Sequence, residues 1–490
     1  MLFNSVDFII FFPIVTILYF VLPRKIRYLW LLATSYYFYM NWNAKYALLL
    51  LFSTVVTYVS GLLIERLSGT GKKKAVVAGS FVLNLGVLFF YKYINFALLI
   101  VTKVLESVHI SVRIRDFDLI LPVGTSFFTF QALSYTMDVY RGDIHAEKNF
   151  FRYALYVSFF PQLVAGPIER SKNLLKQLAV PSNFDFENAR DGFLLMLWGY
   201  FLKLVLADRI AIFVDAVYTD YTTYHGWYLI VATLLFAIQI YCDFAGYSTI
   251  AIGSAQILGI RLMENFDAPY LAESVSGFWR KWHISLTSWF RDYLYIPLGG
   301  NRKGRIRKDI NRMIVFLVSG LWHGAAFHFV VWGGINGFYQ VIGEWLMPVR
   351  NRIISALRLH PELLGYRILR VLVTFVLVDF SWIYFRADSL DSAHAIISSI
   401  VHANNPWVLF DGSLYELGLG DKSFRLMLFG ILVLLFSDIM KRCGICIRQK
   451  ILEQDYFIRW IVIAVAIAFI LTFGIWGSGY NATNFIYFQF

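Results

Sequence analysis

The chain has 490 residues, of which 58% are hydrophobic and only 16% are charged, and its formal net charge is +12. Such a composition leaves too few polar residues to cover a water-soluble globule of this length, so it excludes that class of protein. The sequence therefore predicts an integral membrane protein, in which a basic charge indicates membrane orientation and not nucleic acid as a partner.

Apolar runs recur along nearly the whole chain and approach the ~20 residues that a helix needs to cross a bilayer. In chain order they lie at 2–22, 28–42, 46–64, 76–101, 119–140, 150–166, 191–214, 226–242, 313–333, 368–385, 424–440 and 456–475. They are too continuous for the alternating strands of a β-barrel, so they predict an all-α polytopic protein with about 11–13 membrane helices, some of them re-entrant. We expect one membrane domain over residues 1–490, with an interfacial and cytoplasmic segment at 265–312.

Basic residues are concentrated in short loops between the apolar runs. These loops lie at 24–27, 71–74, 301–312 and 441–450. The positive-inside rule places all four loops in the cytoplasm, beside anionic membrane lipid, and both termini are then extracytoplasmic. The first apolar run lacks a basic leader and a small-residue cleavage site, so we expect it to be retained as a helix.

Three cysteines, Cys242, Cys443 and Cys446, are too few for a disulfide framework. The last two have the spacing of half a zinc site, but no second cysteine or histidine pair accompanies them. We expect no metal site and interpret this pair as part of an inert or lipid-modified loop.

Histidines within apolar stretches are the most informative polar residues, because ionisable groups are costly inside a membrane. His323 and His328 are five residues apart, which on a single helix places them on different faces. No carboxylate occurs between Ser319 and Phe338, so the zinc helix of a metalloprotease is excluded. His283 precedes His323 by 40 residues and a basic loop, so the two histidines belong to separate elements that can converge in space.

By residue type alone, each histidine is also consistent with a core side chain hydrogen-bonded to a neighbouring helix. Small residues surround His323 in the stretch SGLWHGAA, and they allow close helix approach and leave room for a substrate. Burial favours the neutral imidazole, which is the form that a general base needs. These features favour a functional role for His323.

Six stretches resemble, in order, the bacterial membrane-bound O-acyltransferases (MBOAT), in the branch that contains the alginate O-acetylation membrane protein. They are LPVGTSFFTFQALSYTMDVYRG (121–142), FFPQLVAGPIERSKNLLKQL (159–178), YCDFAGYSTIAIGSAQILGI (241–260), ENFDAPY (264–270), FWRKWHISLTSWFRDYLYIPLGGNRKG (278–304) and LVSGLWHGAAFHFVVWGGINGF (317–338). The membrane protein of teichoic-acid D-alanylation is a more distant relative of this branch.

The resemblance implies helices around a central tunnel, a catalytic core region at 119–340, His323 as the catalytic residue and His283 as the second polar member of the site. An acyl thioester, acetyl-CoA or an acyl carrier protein, would enter from the cytoplasm as a co-substrate, with no bound cofactor. The acyl group, expected to be acetyl, would reach hydroxyls of an extracellular polysaccharide. Expected partners are a secreted or periplasmic acetyltransferase and a polysaccharide synthase complex, with the chain in the bacterial plasma (inner) membrane.

Further tunnel or donor-binding candidates lie in the same motifs. They are Asp243, Arg280, Lys281, Trp282, Arg291 and Trp322. The branch is expected to carry an acidic residue where this chain has Thr249, so only Asp243 remains, and a structural role for it beside an arginine or at a helix cap stays open. The basic and aromatic residues of 278–297 are consistent with lipid anchoring or with guidance of an anionic donor.

The predicted extracytoplasmic tail, 476–490, ends in FIYFQF, which would be poorly solvated if left free. It resembles the aromatic end of the small membrane peptide that accompanies the D-alanylation acyltransferase. We expect it to dock into the mouth of the tunnel, where the Tyr487 hydroxyl would relay the acyl group. An aromatic plug or an interface anchor is the alternative interpretation.

Two other classes of function remain open for such a membrane protein. A lipid-linked sugar flippase or ion-coupled transporter is the main alternative, although no repeat symmetry is evident in the sequence. A noncatalytic scaffold of a polysaccharide synthase would require neither histidine.

Overall fold

The computed structural model describes residues 1–110, 117–119, 122, 124–476, 485 and 486. Over these residues every regular element is helical and no β-strand occurs. The predicted all-α class is confirmed. Packing divides the chain into two compact units, the first made of 1–196 and 250–263 and the second of 197–249 and 264–490.

The helices of the first half of the chain are mostly short. They are α1 (Val6–Val21), α2 (Arg27–Met40), α3 (Ala47–Arg66), α4 (Thr70–Leu88), α5 (Ile94–Ser107), α6 (Thr125–Arg141), α7 (Phe150–Ser158), α8 (Phe160–Leu163), α9 (Ser171–Ala179), α10 (Phe186–Tyr200) and α11 (Asp208–Thr219). The remaining helices are α12 (Trp227–Ile257), α13 (Val275–Lys281), α14 (Ile284–Phe290), α15 (Gly304–His323), α16 (Phe327–Trp345), α17 (Met347–Ala356), α18 (Leu364–Arg386), α19 (Leu390–His402), α20 (Asp421–Arg442), α21 (Ile447–Leu452) and α22 (Tyr456–Phe473). Three π-helical turns, Phe89–Tyr93, Phe201–Ala207 and Arg291–Tyr295, and five 3-10 turns, Arg24–Ile26, Ala44–Tyr46, Pro269–Leu271, Pro406–Leu409 and Ser413–Glu416, complete the elements.

Six helical segments among the described residues are long and apolar enough to cross a membrane. They are Ala44–Arg66, Thr70–Ser107, Trp227–Ile257, Leu364–Arg386, Asp421–Arg442 and Tyr456–Phe473. The helix Val6–Val21 is apolar but shorter. The chain is therefore a polytopic membrane protein.

Several predicted apolar runs are divided in the structure. The run at 150–166 forms the short helices α7 and α8, and a π-helical turn interrupts the run at 191–214. The run at 313–333 breaks after His323, where Gly324 adopts an extended conformation. His323 therefore ends α15 and His328 lies in the first turn of α16, so the assumption that both lie on one helix is wrong.

Glycines let α15 and α16 pack with their backbones in contact. A Cβ atom added at Gly320 would lie 2.3 Å from the Phe329 carbonyl oxygen, and one at Gly333 would lie 2.3 Å from the Phe316 carbonyl oxygen. Small residues are what permit such close approach between membrane helices. This helical hairpin fixes the position of His323 at the end of α15.

The two units differ in the character of their interiors. In the first unit, buried side-chain hydrogen bonds join helices, including one from Tyr153 to Thr57 at 2.7 Å and one from Ser171 to Asp138 at 2.6 Å. The second unit has a large aromatic core and contains both histidines predicted to be functional. The site is therefore described within the second unit.

Candidate active site

His323 lies in a pocket of aromatic rings at the end of α15. Its side chain is buried, and its ring centroid is 4.9 Å from Trp322, 5.1 Å from Trp332 and 5.3 Å from Phe385. Trp332 comes from α16 and Phe385 from α18, so three helices position the imidazole. Each of these rings meets the imidazole edge to face, an arrangement that aromatic pairs favour.

His283 reaches the same neighbourhood from the loop between α13 and α14. Its buried ring is 4.6 Å from Phe244 and 6.1 Å from Trp322. The indole of Trp322 therefore lies beside both imidazoles, although the two histidines belong to separate elements. His283 lies outside the six candidate membrane helices, and burial lowers its pKa to about 3, so this imidazole is neutral at physiological pH.

The backbone at His283 is unusual and is stabilised by Asn265. His283 adopts the left-handed conformation, with φ of 44°, which costs free energy for a residue other than glycine. The Asn265 carbonyl accepts a hydrogen bond from Ile284 N–H at 3.0 Å, and its side-chain oxygen accepts one from Ser285 N–H at 3.3 Å. The Asn265 amide also donates to Ser248 on α12 at 3.0 Å. The ENFDAPY stretch thus orients the RKWHISL stretch.

An aromatic wall continues from the histidine pocket. It is formed by four tryptophans of α13, α16, α18 and the loop after α13. Trp282 is 5.2 Å from Trp382, which stacks on Trp332 at 5.7 Å, and Trp279 is 5.6 Å from Trp332. Apolar rings packed in this way limit the access of water to the imidazoles.

Asp243 belongs to a buried ionic network and not to an arginine pair. Lys203, in the π-helical turn Phe201–Ala207, contacts Asp243 at 2.6 Å and Asp208 at 2.8 Å. The three side chains are nearly inaccessible to solvent. Turns of π-helix are rare and are frequent at functional sites.

The second oxygen of Asp243 holds the C-terminal segment. Ile486 N–H donates to it at 2.8 Å, and the Phe485 ring lies 4.6 Å from Tyr247 and 6.4 Å from Phe244. Because Phe244 also contacts His283, the described part of the tail lies one aromatic ring away from the second histidine. Tyr487 itself lies outside the described residues.

The predicted cationic candidates lie at the surface of the unit. Lys281 forms an ion pair with Asp267 at 2.9 Å, Arg291 forms one with Asp292 at 2.9 Å, and Arg280 is exposed. Burial raises the pKa of Asp267, but the hydrogen bond from Lys281 and nearby positive charge outweigh it and hold this pKa below its ordinary value. The Asp267 carboxylate is therefore ionised at neutral pH.

His328 has a structural partner. Its Nδ1 atom lies 2.9 Å from the Tyr384 carbonyl oxygen and ties α16 to α18. Over the described ranges, no group of three or more histidine, cysteine, aspartate or glutamate side chains could hold a metal ion.

Some residues of this site were not singled out from the sequence. Trp332 and Phe385 line the His323 pocket, Phe244 contacts His283, Asn265 orients its loop, and Lys203 pairs with Asp243. Phe244, Asn265 and Trp332 lie inside stretches that carry the family resemblance, so their position in those motifs was an available signal. The others depend on contacts between elements distant in sequence.

The chain is a polytopic helical membrane protein in which two buried imidazoles lie beside aromatic rings, an arrangement consistent with an enzyme that moves acyl groups within a membrane. The MBOAT, membrane-bound O-acyltransferase family, matches residues 146–356. The probable alginate O-acetylase AlgI of Azotobacter vinelandii is 35% identical over 415 residues, which cover 84% of this chain and 80% of that protein.

Two further relatives extend the comparison. The peptidoglycan O-acetyltransferase of Helicobacter pylori is 33% identical over 436 residues, covering 82% of this chain and 80% of that protein. The teichoic acid D-alanyltransferase of Streptococcus thermophilus is 25% identical over 320 residues, covering 62% and 76%. The chain belongs to the membrane-bound O-acyltransferase family, and its predicted enzyme class, O-acyltransferase, is confirmed.

Proposed function

We propose that this enzyme transfers an acetyl group from a cytoplasmic thioester to hydroxyls of an extracellular polysaccharide, with His323 as the general base. The observation that carries the proposal is that the buried rings of His323 and His283 both lie beside Trp322, at centroid distances of 4.9 and 6.1 Å. The alginate and peptidoglycan O-acetylating relatives support acetyl as the group and a polysaccharide as the acceptor.

The proposed chemistry uses a neutral imidazole as the base, the form that burial favours. His323 takes the proton of the acceptor hydroxyl as its oxygen attacks the thioester carbonyl. The new carbon–oxygen bond forms, the carbon–sulfur bond breaks, and the thiolate leaves with the proton returned by the imidazole. His283, also neutral, hydrogen-bonds the acceptor or the developing oxyanion. Holding donor and acceptor together supplies much of the remaining rate.

The direction of transfer rests on the charge pattern of the loops. The basic loops at 301–312 and 441–450 are assigned to the cytoplasm, where the donor, acetyl-CoA or an acyl carrier protein, is found. The chain would lie in the bacterial plasma membrane with both termini outside. A periplasmic or secreted acetyltransferase and a polysaccharide synthase complex are the partners that such a direction requires.

Deletion of the gene separates this function from the alternatives. We expect cells to export the same amount of polysaccharide, but without acetyl esters, because only the modification is lost. Ester content and polymer yield are measured on the secreted material. Loss of the polymer itself would instead support a flippase or a scaffold of the synthase and would contradict the proposal.

We also propose that the C-terminal tail relays the acyl group from the thioester donor to the extracellular partner. Ile486 and Phe485 lie against Asp243 and Phe244, and this placement of the described tail residues supports the relay. In this scheme the Tyr487 hydroxyl attacks the thioester first, and the resulting aryl ester is then passed to a hydroxyl of the extracellular partner.

Substitution of Tyr487 by phenylalanine tests the relay, because it removes only the hydroxyl. We expect acetyl ester in the secreted polymer to fall to background, and Tyr487→Ala to have the same effect. The matched comparison is between these two variants. Full acetylation with Tyr487→Phe and loss only with Tyr487→Ala would show an aromatic plug and overturn the relay.

A further inference from the structure

Three arginines converge on a single carboxylate, that of Glu273. Glu273 contacts Arg367 at 3.0 Å and Arg370 at 3.1 Å, and it also pairs with Arg442. Arg367 and Arg370 lie in the first turns of α18, and Arg442 is the last residue of α20. We call these three side chains the arginine cluster.

The arginine cluster carries surplus positive charge. Three guanidinium groups and one carboxylate leave a net charge of 3 − 1 = +2. Burial raises the pKa of Glu273, but the hydrogen bond from Arg367 and the charges of the cluster outweigh it and lower this pKa, so the glutamate is ionised.

The neighbouring charges do not offset this surplus. Lys281 and Lys441 are matched by Asp267 and Glu264, which makes that adjacent group neutral. The arginine side chains remain 46%, 31% and 28% exposed, so they are accessible to a ligand from solution. Guanidinium groups bind phosphate through paired, charge-assisted hydrogen bonds.

The arginine cluster is joined to the histidine pocket by the protein itself. Arg442 donates a hydrogen bond to the Leu271 carbonyl, and the adjacent Tyr270 lies 5.8 Å from Trp282, the neighbour of His283. Along α18, Arg370 precedes Phe385 by 15 residues, or ~22 Å at 1.5 Å per residue. Phe385 contacts His323. A phosphopantetheine arm is somewhat shorter than this span, and the long arginine side chains that reach toward its phosphate cover the remainder.

We propose that Arg367, Arg370 and Arg442 form the site that binds the phosphate groups of the thioester donor. The proposal rests on the proposed function, since it assigns the donor of that transfer. Acetyl-CoA and an acyl carrier protein both present the thioester on a phosphopantetheine arm, so the same phosphate chemistry serves either donor. The cluster would hold the phosphate while the arm extends along α18 toward His323.

Direct binding tests the site without any turnover. Full-length protein carrying His323→Ala is purified in detergent and titrated by calorimetry with CoA, with a phosphopantetheine-loaded acyl carrier protein, and with phosphate-free pantetheine. The test variant adds Arg367→Gln and Arg370→Gln and leaves Arg442, which also holds the Leu271 backbone. The matched control is Arg425→Gln, at the opposite end of α20, where Arg425 pairs with Asp421.

We expect the double substitution to weaken binding of CoA or of the loaded carrier protein by about tenfold or more, as the loss of charge-assisted hydrogen bonds predicts. Pantetheine binding should be unchanged, Arg425→Gln should have no effect, and added salt should weaken the parent protein's binding. The phosphate-bearing ligand whose binding is weakened by the double substitution is the donor.

Equal affinity of the parent and the double variant for both phosphate-bearing ligands would overturn the proposal, as would failure of the parent to bind either one. If the double substitution changes only the amount of anionic phospholipid that co-purifies, the cluster binds lipid headgroups and the proposal is also wrong. None of these outcomes depends on whether His323 is the base, because every protein in the test lacks that imidazole.

Discussion

Replacement of His323 by alanine is expected to reduce acyl transfer by about 10²- to 10⁴-fold, the range that a positioned general base contributes. The imidazole lies among Trp322, Trp332 and Phe385. Its removal should leave the helices in place, because glycine contacts join α15 to α16. The variant should still insert and the polymer should still be made. Transfer is measured with purified protein and as ester content of the secreted polymer.

His328→Asn is the matched control for this substitution. His328 lies five residues further on, is also buried, and contacts the Tyr384 carbonyl at 2.9 Å. Loss of that contact should cost about 1 kcal/mol of stability and leave most of the transfer rate. Equal rates for His323→Ala and the unmodified protein, or equal losses for both substitutions, would show that His323 is not the base.

Replacement of Lys203 by methionine is expected to lower the free energy of unfolding by about 3–5 kcal/mol, the cost of removing one partner from a buried ion pair. Methionine has a similar length but no charge, so Asp208 and Asp243 would lose the ammonium that lies between them at 2.8 and 2.6 Å. Because Asp243 also accepts the Ile486 N–H, the tail should be released at the same time. The midpoint of thermal unfolding in detergent and the accessibility of a cysteine placed at 486 report these two effects.

Lys441→Met is the matched control, because it removes a lysine from an exposed ion pair and not from a buried one. Lys441 pairs with Glu264 at 3.1 Å, and their side chains are 45% and 67% exposed, against 1% for Lys203. Exposed pairs contribute about 0–1 kcal/mol, so the midpoint should hardly move. A similar small shift for Lys203→Met, with the cysteine at 486 still protected, would contradict the anchoring role of the network.

Much of the fold follows from hydrophobicity alone. Runs of about 20 apolar residues predict helices because the backbone must satisfy its own hydrogen bonds in lipid. The breaks within those runs do not follow from composition. The chain leaves the helix at Gly324 because α16 folds back against α15, and a Cβ atom at that position would overlap the Phe329 ring. That constraint comes from tertiary packing, which apolar periodicity does not encode.

The candidate site was likewise predictable from the sequence only in part. His323 and His283 could be selected from residue type and from the family resemblance, and their proximity could be anticipated. The left-handed backbone at His283 and its support by Asn265 depend on hydrogen bonds between loops, which no local pattern reveals. A structural role for Asp243 was left open, beside an arginine or at a helix cap, but the residue that pairs with it is Lys203, in a π-helical turn 40 residues earlier in the chain.

The central claim is that His323 catalyses transfer between donors and acceptors on opposite sides of a membrane. The most direct test seals a labelled thioester donor inside vesicles that contain the purified protein and supplies the extracytoplasmic acetyltransferase partner with an oligosaccharide acceptor outside. We predict labelled ester on the external acceptor with the unmodified protein and none above background with His323→Ala. Undiminished external labelling with His323→Ala, or labelling only when donor and acceptor share one side, would contradict the account.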